Sequence, residues 1–121
     1  MKNNYPWLDE FCLSQKGAIK NYQPDWQADC YNIGGKMFAM ITSYKDGRPI
    51  ITLKLAPEHG EVLRQKYTDK IIPGYYMNKV HWNSVFLDND IPRDLLEKMI
   101  TEAYTIVLSS LTKKVQAEIN G

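Results

Sequence analysis

The chain has 121 residues, 44% hydrophobic and 24% charged, with 15 Lys+Arg against 14 Asp+Glu for a formal charge of +1. At this length folding buries roughly two thirds of the surface the unfolded chain exposes, so a single domain over residues 1–121 needs neither metal nor disulfide, and disorder is excluded. The near-even balance argues against the dense positive field usual in a small nucleic-acid binder, so any such function depends on where the charges sit.

Leu8, Phe11 and Cys12 fall at i, i+3 and i+4, with Pro6 suited to a first turn and Gly17 to a stop, which predicts a helix over about 5–15. Residues 17–27 carry Pro24 and Trp26 without a clear period and read as a loop or short turn. Residues 28–33, 36–44 and 49–56 are rich in aromatic and β-branched side chains and are separated by Gly34-Gly35 and Asp46-Gly47. Both dipeptides tolerate the positive φ of tight hairpins, so a three-stranded antiparallel meander is expected. In its third strand Ile51, Leu53 and Leu55 alternate with Thr52 and Lys54, which sends one face to the core and the other to solvent or a partner.

Pro57 opens a second helix to about Tyr67, with Val62 and Leu63 inward. Pro73-Gly74 is a turn pair, and 79–87 reads as a further strand whose apolar residues fall on both parities, which suggests a bulge. Leu95, Leu96, Met99, Ile100, Ala103, Tyr104, Val107 and Leu111 then recur every three to four residues, marking a long amphipathic helix to about Leu111. The tail 112–121 either extends that helix or frays. The order of elements predicts an α+β domain: an antiparallel sheet, the meander plus further strands, covered on one face by N- and C-terminal helices.

Catalytic and metal chemistry find little support. His59 and His81 are 22 positions apart, and neither Cys12 nor Cys30 belongs to a Cys-x-x-Cys pair, so no metal site or cofactor is expected. Gly34-Gly35-Lys36-Met37 lacks the spacing and the Ser or Thr of a phosphate loop. A Cys-His nucleophile pair through the fold has no supporting pattern, and Asp88 and Asp90 are placed to cap the helix that follows. With no apolar stretch suited to a signal peptide or a membrane span, the two cysteines read as reduced thiols of a cytoplasmic protein, although their spacing also permits a disulfide.

Charge by segment is more informative. Residues 36–81 carry 8 basic and 4 acidic side chains, a surplus of +4, and the flanks carry 7 and 10, or −3. Lys36 adjoins the Gly-Gly turn, Lys45 and Arg48 flank the Asp-Gly turn, and Lys54 lies on the outward parity of its strand, so hairpin tips and one sheet face share a sign suited to phosphates.

Three spaced motifs, Gly34-Gly35-Lys36-Met37-Phe38-Ala39, Pro73-Gly74-Tyr75 and Asn78-Lys79-Val80-His81-Trp82-Asn83, followed by Ile91-Pro92, resemble the MmcQ/YjbR family of small bacterial proteins over about residues 7–111. The resemblance implies a fold like that of the bacterial frataxin homologue CyaY and DNA binding through two hairpin wings. It points to Lys36, Lys79, His81, Trp82 and Asn83 as a candidate surface. The expected DNA contacts are therefore Lys36, Lys45, Arg48, Lys54, Lys79, His81 and Asn83, with no catalytic residue. So small a charge surplus implies weak, salt-sensitive binding by one copy, so that strong binding would need a homodimer or a protein partner. Two rival readings stay open: an adaptor using the aromatic residues Tyr75, Tyr76 and Trp82, and a small-molecule binder with a pocket near His81 and Trp82.

Overall fold

The computed structural model describes residues 5–74 and 78–120. The elements are α1 (Pro6–Ser14), β1 (Ile19–Gln23), β2 (Ala28–Ile33), β3 (Lys36–Ser43), β4 (Pro49–Lys54), α2 (Pro57–Lys66), β5 (Ile71–Pro73), β6 (Trp82–Phe86), α3 (Arg93–Ser110) and α4 (Lys113–Asn120). The six strands form one antiparallel sheet in the order β1-β2-β3-β4-β6-β5. The fold is α+β, and the meander expected from the glycine turns is its centre.

The segment expected to be a loop contains β1, which pairs with β2 from Ile19↔Asn32 to Gln23↔Ala28. Its residues are mostly exposed, so no alternation of apolar and polar groups announced it; the backbone ladder alone defines the strand. The tail forms a separate helix. Leu111 is extended, with ψ 162°, and Thr112 Oγ1 accepts a hydrogen bond from Val115 N at 3.2 Å, capping α4. Residues 79–81 belong to a turn, so the last strand is shorter than predicted, and β6 keeps regular register with β4 from Lys54↔Trp82 to Ile50↔Phe86. The register shift lies instead between Tyr31 and Asn32, where β2 meets β3.

α3 packs across β3 and β4. Its Leu96, Met99, Ile100, Ala103 and Val107 join Tyr31, Ile33, Phe38, Ile51, Leu53 and Val85 of the sheet, together with Leu8 and Cys12 of α1, in one core. Phe38 and Tyr104 meet edge to face with centroids 5.6 Å apart. In α2 Leu63 is buried but Val62 is exposed; the position expected for Val62 is taken by Gly60, which brings the helix close to β6.

On the opposite face of the sheet, where the alternation in β4 predicts solvent or a partner, the central row is buried within the chain itself. Ile50, Thr52, Ser84 and Phe86 are all at most 4% exposed, and Lys54 and its register partner Trp82 are the partly open members of that row. Local packing closes the row: Thr52 Oγ1 and Ser84 Oγ share a hydrogen bond of 2.7 Å, and the Arg48 guanidinium lies 3.8 Å over the Phe86 ring. Ala28, Cys30 and Met40 form a second small cluster away from the main core, so Cys30 and Cys12 belong to different apolar clusters and both are free thiols.

Gly34 closes the β2–β3 turn with φ +57°, and a Cβ there would stand 2.5 Å from Leu111 Cδ1. A side chain at this position meets both a strained backbone and the α3–α4 junction, which is why the two-residue turn carries glycine.

Candidate nucleic-acid interface

The stretch Asn78–Asn83 is first of all a piece of architecture. Asn78 Oδ1 accepts from Val80 N at 2.8 Å and Asn78 O from Trp82 N at 3.0 Å, forming the turn that leads into β6. His81 O accepts from Leu55 N at 2.8 Å, and Trp82 O from Gly74 N at 2.7 Å, so both neighbouring segments are tied to it. Asn83 is fully buried; Arg64 Nη1 donates to its Oδ1, and its Nδ2 lies 3.4 Å from His81 O. Asn83 is therefore not a DNA contact. On β6 it shares the core parity of Val85, its register partner is Leu53, and its amide holds α2 against the sheet. The turn leaves Lys79, Val80 and His81 exposed.

Alternating strand direction divides the remaining candidates between the two ends of the sheet. At one end are the Gly34-Gly35 turn, the close of β4 and the turn before β6, carrying Lys36, Lys54, Lys79 and His81. Because Gly34 packs on Leu111 and Val115, the start of α4 joins this end and adds Lys113 and Lys114, both exposed. Sequence pattern does not reveal these two, since only the tertiary packing of the hairpin on the helix junction brings them there.

Among the described residues none of these five lysines is in an ion pair. Glu58 and Glu61 of α2 and Glu118 of α4 are the acidic side chains of the helices nearest this end. Lys36 pairs in register with Ile33, a core residue, whereas Lys54 lies on the other face. The cations thus surround the end of the sheet and do not line one face of it.

Lys45 and Arg48 lie at the far end, separated from Lys36 by the eight residues of β3, about 25 Å of extended chain. Arg48 is engaged there: its Nε and Nη2 each donate to the Asp88 carboxylate at 3.0 Å, and this bond holds the Asp88 carboxyl below its ordinary range. Lys45 Nζ stands 5.5 Å from the centroid of the Tyr44 ring. Asp88 and Asp90, expected as caps of α3, pair with Arg48 and Lys70 instead, and the N-cap position of α3 is Pro92, which makes no side-chain cap. Because Asp88 and Asp90 immediately follow β6, they meet the cations of the neighbouring hairpin and of the turn before β5, a pairing that helix-start patterns do not reveal.

Tyr75 and Tyr76, expected as part of an aromatic surface, lie outside the described residues; Trp82 is half-buried. Among the described residues no group of three His, Cys, Asp or Glu could hold a metal ion, and no helix is long and apolar enough to cross a membrane. One cleft of about 240 Å³, lined by Trp7, Phe86, Ile91 and Arg93 among others, lies away from His81 and Trp82. His59 Nδ1 donates to Glu102 Oε1 at 2.6 Å while Glu102 Oε2 accepts from Ala56 N at 3.1 Å, so this histidine-carboxylate pair fastens the start of α2 to α3.

These features define a small α+β domain with an internally buried polar latch and one lysine-rich end. A model described as YjbR matches residues 13–106, and the chain belongs to the YjbR family. It is 30% identical over 107 residues to the uncharacterized protein YjbR of Escherichia coli K12, covering 88% of this chain and 89% of that one. It is 38% identical over 91 residues to the uncharacterized protein YbdF of Escherichia coli O157:H7, covering 75% and 73%. The crystal structure of Deinococcus radiodurans protein DR2400, a DUF419 domain, superimposes with a TM-score of 0.84 at 30% identity over 93% of this chain and 85% of the other. A Pseudomonas syringae protein at 20% identity shares the fold, with a TM-score of 0.72 over 88% of this chain and 99% of its own.

Proposed function

We propose that this YjbR-family chain is a non-catalytic DNA-binding protein of the cytoplasm that grips the phosphate backbone with the lysine-rich end of its sheet. One observation carries the reading: Lys36, Lys54, Lys79, Lys113 and Lys114 converge from four separate stretches of chain on one end of the fold, and none has an acidic partner among the described residues. Unpaired lysines attract phosphate at no cost to internal ion pairs, and His81 adds a donor beside them. The buried Asn83 leaves no base-reading amide in the motif, so binding without strong sequence preference follows.

Fluorescence anisotropy with labelled duplex and single-stranded DNA across a salt series tests this. Three to five phosphate contacts give a slope of log affinity against log salt of about −3 to −5 on a duplex. Lys36→Glu, Lys54→Glu and Lys79→Glu each weaken binding to unrelated sequences alike. Absence of binding at low salt, or affinity that ignores both salt and these substitutions, overturns the proposal.

A further inference from the structure

At the end of the sheet that carries Lys45 and Arg48, β6 closes at Phe86 and the chain crosses to α3, and the 240 Å³ cleft lies between that crossing and the start of α1. Trp7, Phe86, Ile91 and Leu96 give it apolar walls, and Asn89 and Arg93 are polar members of its lining. A mostly apolar cleft with a few placed polar groups is the common form of a small-molecule site. An apolar cavity of about 150 Å³ already holds benzene, so this one has room for a single ring and a short polar arm.

Charge narrows the choice of occupant. Among the described residues Arg93 is the one charged side chain that lines the cleft. Asp88 and Asp90, on the same crossing, are drawn to Arg48 and Lys70, while Asp94 and Glu97 line a separate groove beside Phe11. Glu97 Oε2 stands 3.6 Å from Arg93 Nε, outside hydrogen-bond reach, and the guanidinium donates to no described residue. Its carbon lies 4.4 Å from the centroid of the Trp7 ring, a contact that restrains an otherwise exposed side chain. A restrained fork of N–H donors beside apolar walls complements a planar carboxylate carried on an apolar body. We propose that this cleft binds a small aromatic monocarboxylate, its ring among Trp7, Phe86 and Ile91 and its carboxylate on Arg93. The Asn89 amide, whose contact with Asp88 is a long 3.5 Å, is the second donor. One cation balances one negative charge, and a phosphate dianion or a dicarboxylate would bring a charge with no partner.

Phenylacetate is the probe, titrated into isotope-labelled protein and followed by two-dimensional NMR, with phenylacetamide as the neutral analogue and acetate as the ringless one. Phenylacetate is expected to saturate, with shifts grouped on the Trp7 indole N–H, the Asn89 side-chain amide and the first turn of α3. Each analogue binds about tenfold or more weakly, because one lacks the charge and the other the ring. Arg93→Gln, at an exposed position, lowers phenylacetate affinity by a similar factor, and Ile91→Trp fills the cleft and removes saturation with Arg93 still in place. Shifts that do not saturate, phenylacetamide binding as tightly as phenylacetate, undiminished affinity in Arg93→Gln, or shifts grouped on Lys36, Lys79 and Lys113 instead each overturn the proposal. Failure of DNA binding leaves it untouched, since the cleft lies at the end of the sheet away from those lysines.

Discussion

Arg64 on α2 donates a hydrogen bond to the side-chain carbonyl of Asn83 on β6, an amide with no exposed surface. Gly60, one turn earlier on the helix, leaves room for it: a Cβ at that position would lie 2.9 Å from both Nδ2 and Oδ1 of Asn83. A charged donor on a buried acceptor makes the pair costly to break. Asn83→Ala is expected to lower stability by about 1–3 kcal/mol, and Gly60→Ala to destabilise by forcing the same amide aside. Thermal unfolding checks both, and DNA affinity measured well below Tm should stay within twofold of wild type for Asn83→Ala. A large loss of affinity with unchanged stability would mean that the amide touches ligand.

Acid should loosen α1 from the sheet. Asp9 accepts from the Tyr31 hydroxyl at 2.6 Å and faces Lys20 Nζ at 2.8 Å. Burial pushes its carboxyl up, but the hydrogen bonds from Lys20 and Tyr31 outweigh burial and hold it below the ordinary 3.8. A carboxyl lowered on folding contributes stability above its unfolded value, and that stability disappears as pH falls through the lowered, folded value. Urea unfolding at about pH 6 and about pH 3 should therefore show a smaller loss for Asp9→Asn than for wild type. Equal losses would place the acid sensitivity elsewhere.

Neither thiol should react in the native protein. Burial, then the nearby Asp9 charge, pushes Cys12 up to about 12, and burial followed by Asp29 raises Cys30. Because the thiolate is the reactive species, a chromogenic disulfide reagent at about pH 8 should label neither residue on folding-competent protein and both in denaturant. Rapid native labelling of Cys12 would show that α1 opens readily.

The long 3.6-residue period of α3 and the glycine turns of the meander are readable from side-chain pattern because one apolar face dictates each. What escapes that pattern depends on packing between distant residues. β1 is exposed and shows no alternation, and Val62 lacks its expected inward place because Gly60 must admit Asn83. Thr52 points outward by parity, yet the second face is closed by its neighbours, including Ser84, 32 residues away. The candidate lysines are visible as residues but not as two groups, since only strand direction sends Lys36 and Lys45 to opposite ends of β3.

That division gives a contrast within one protein. Lys79→Ala, or Lys113→Ala with Lys114→Ala, should weaken DNA binding and reduce the salt slope by about 1 for each phosphate no longer neutralised. Arg48→Ala and Lys45→Ala, at the far end, should change affinity by less than about twofold, because Arg48 already serves Asp88. Side-by-side anisotropy titrations decide the matter, and equal effects at both ends would mean that DNA runs along the strands and not across one end.

The position of α3 in the chain carries a cost during synthesis. It is the helix that packs on β3 and β4, yet it spans Arg93–Ser110 and leaves the ribosome after every strand has emerged. Until then Ile51, Leu53 and Val85 have no helical cover from α3, and the nascent chain presents a sticky half-built sheet to its surroundings. Ribosome-bound chains ending before residue 93 should consequently depend on chaperones that hold exposed apolar surface, and release from them should coincide with the arrival of a single amphipathic segment.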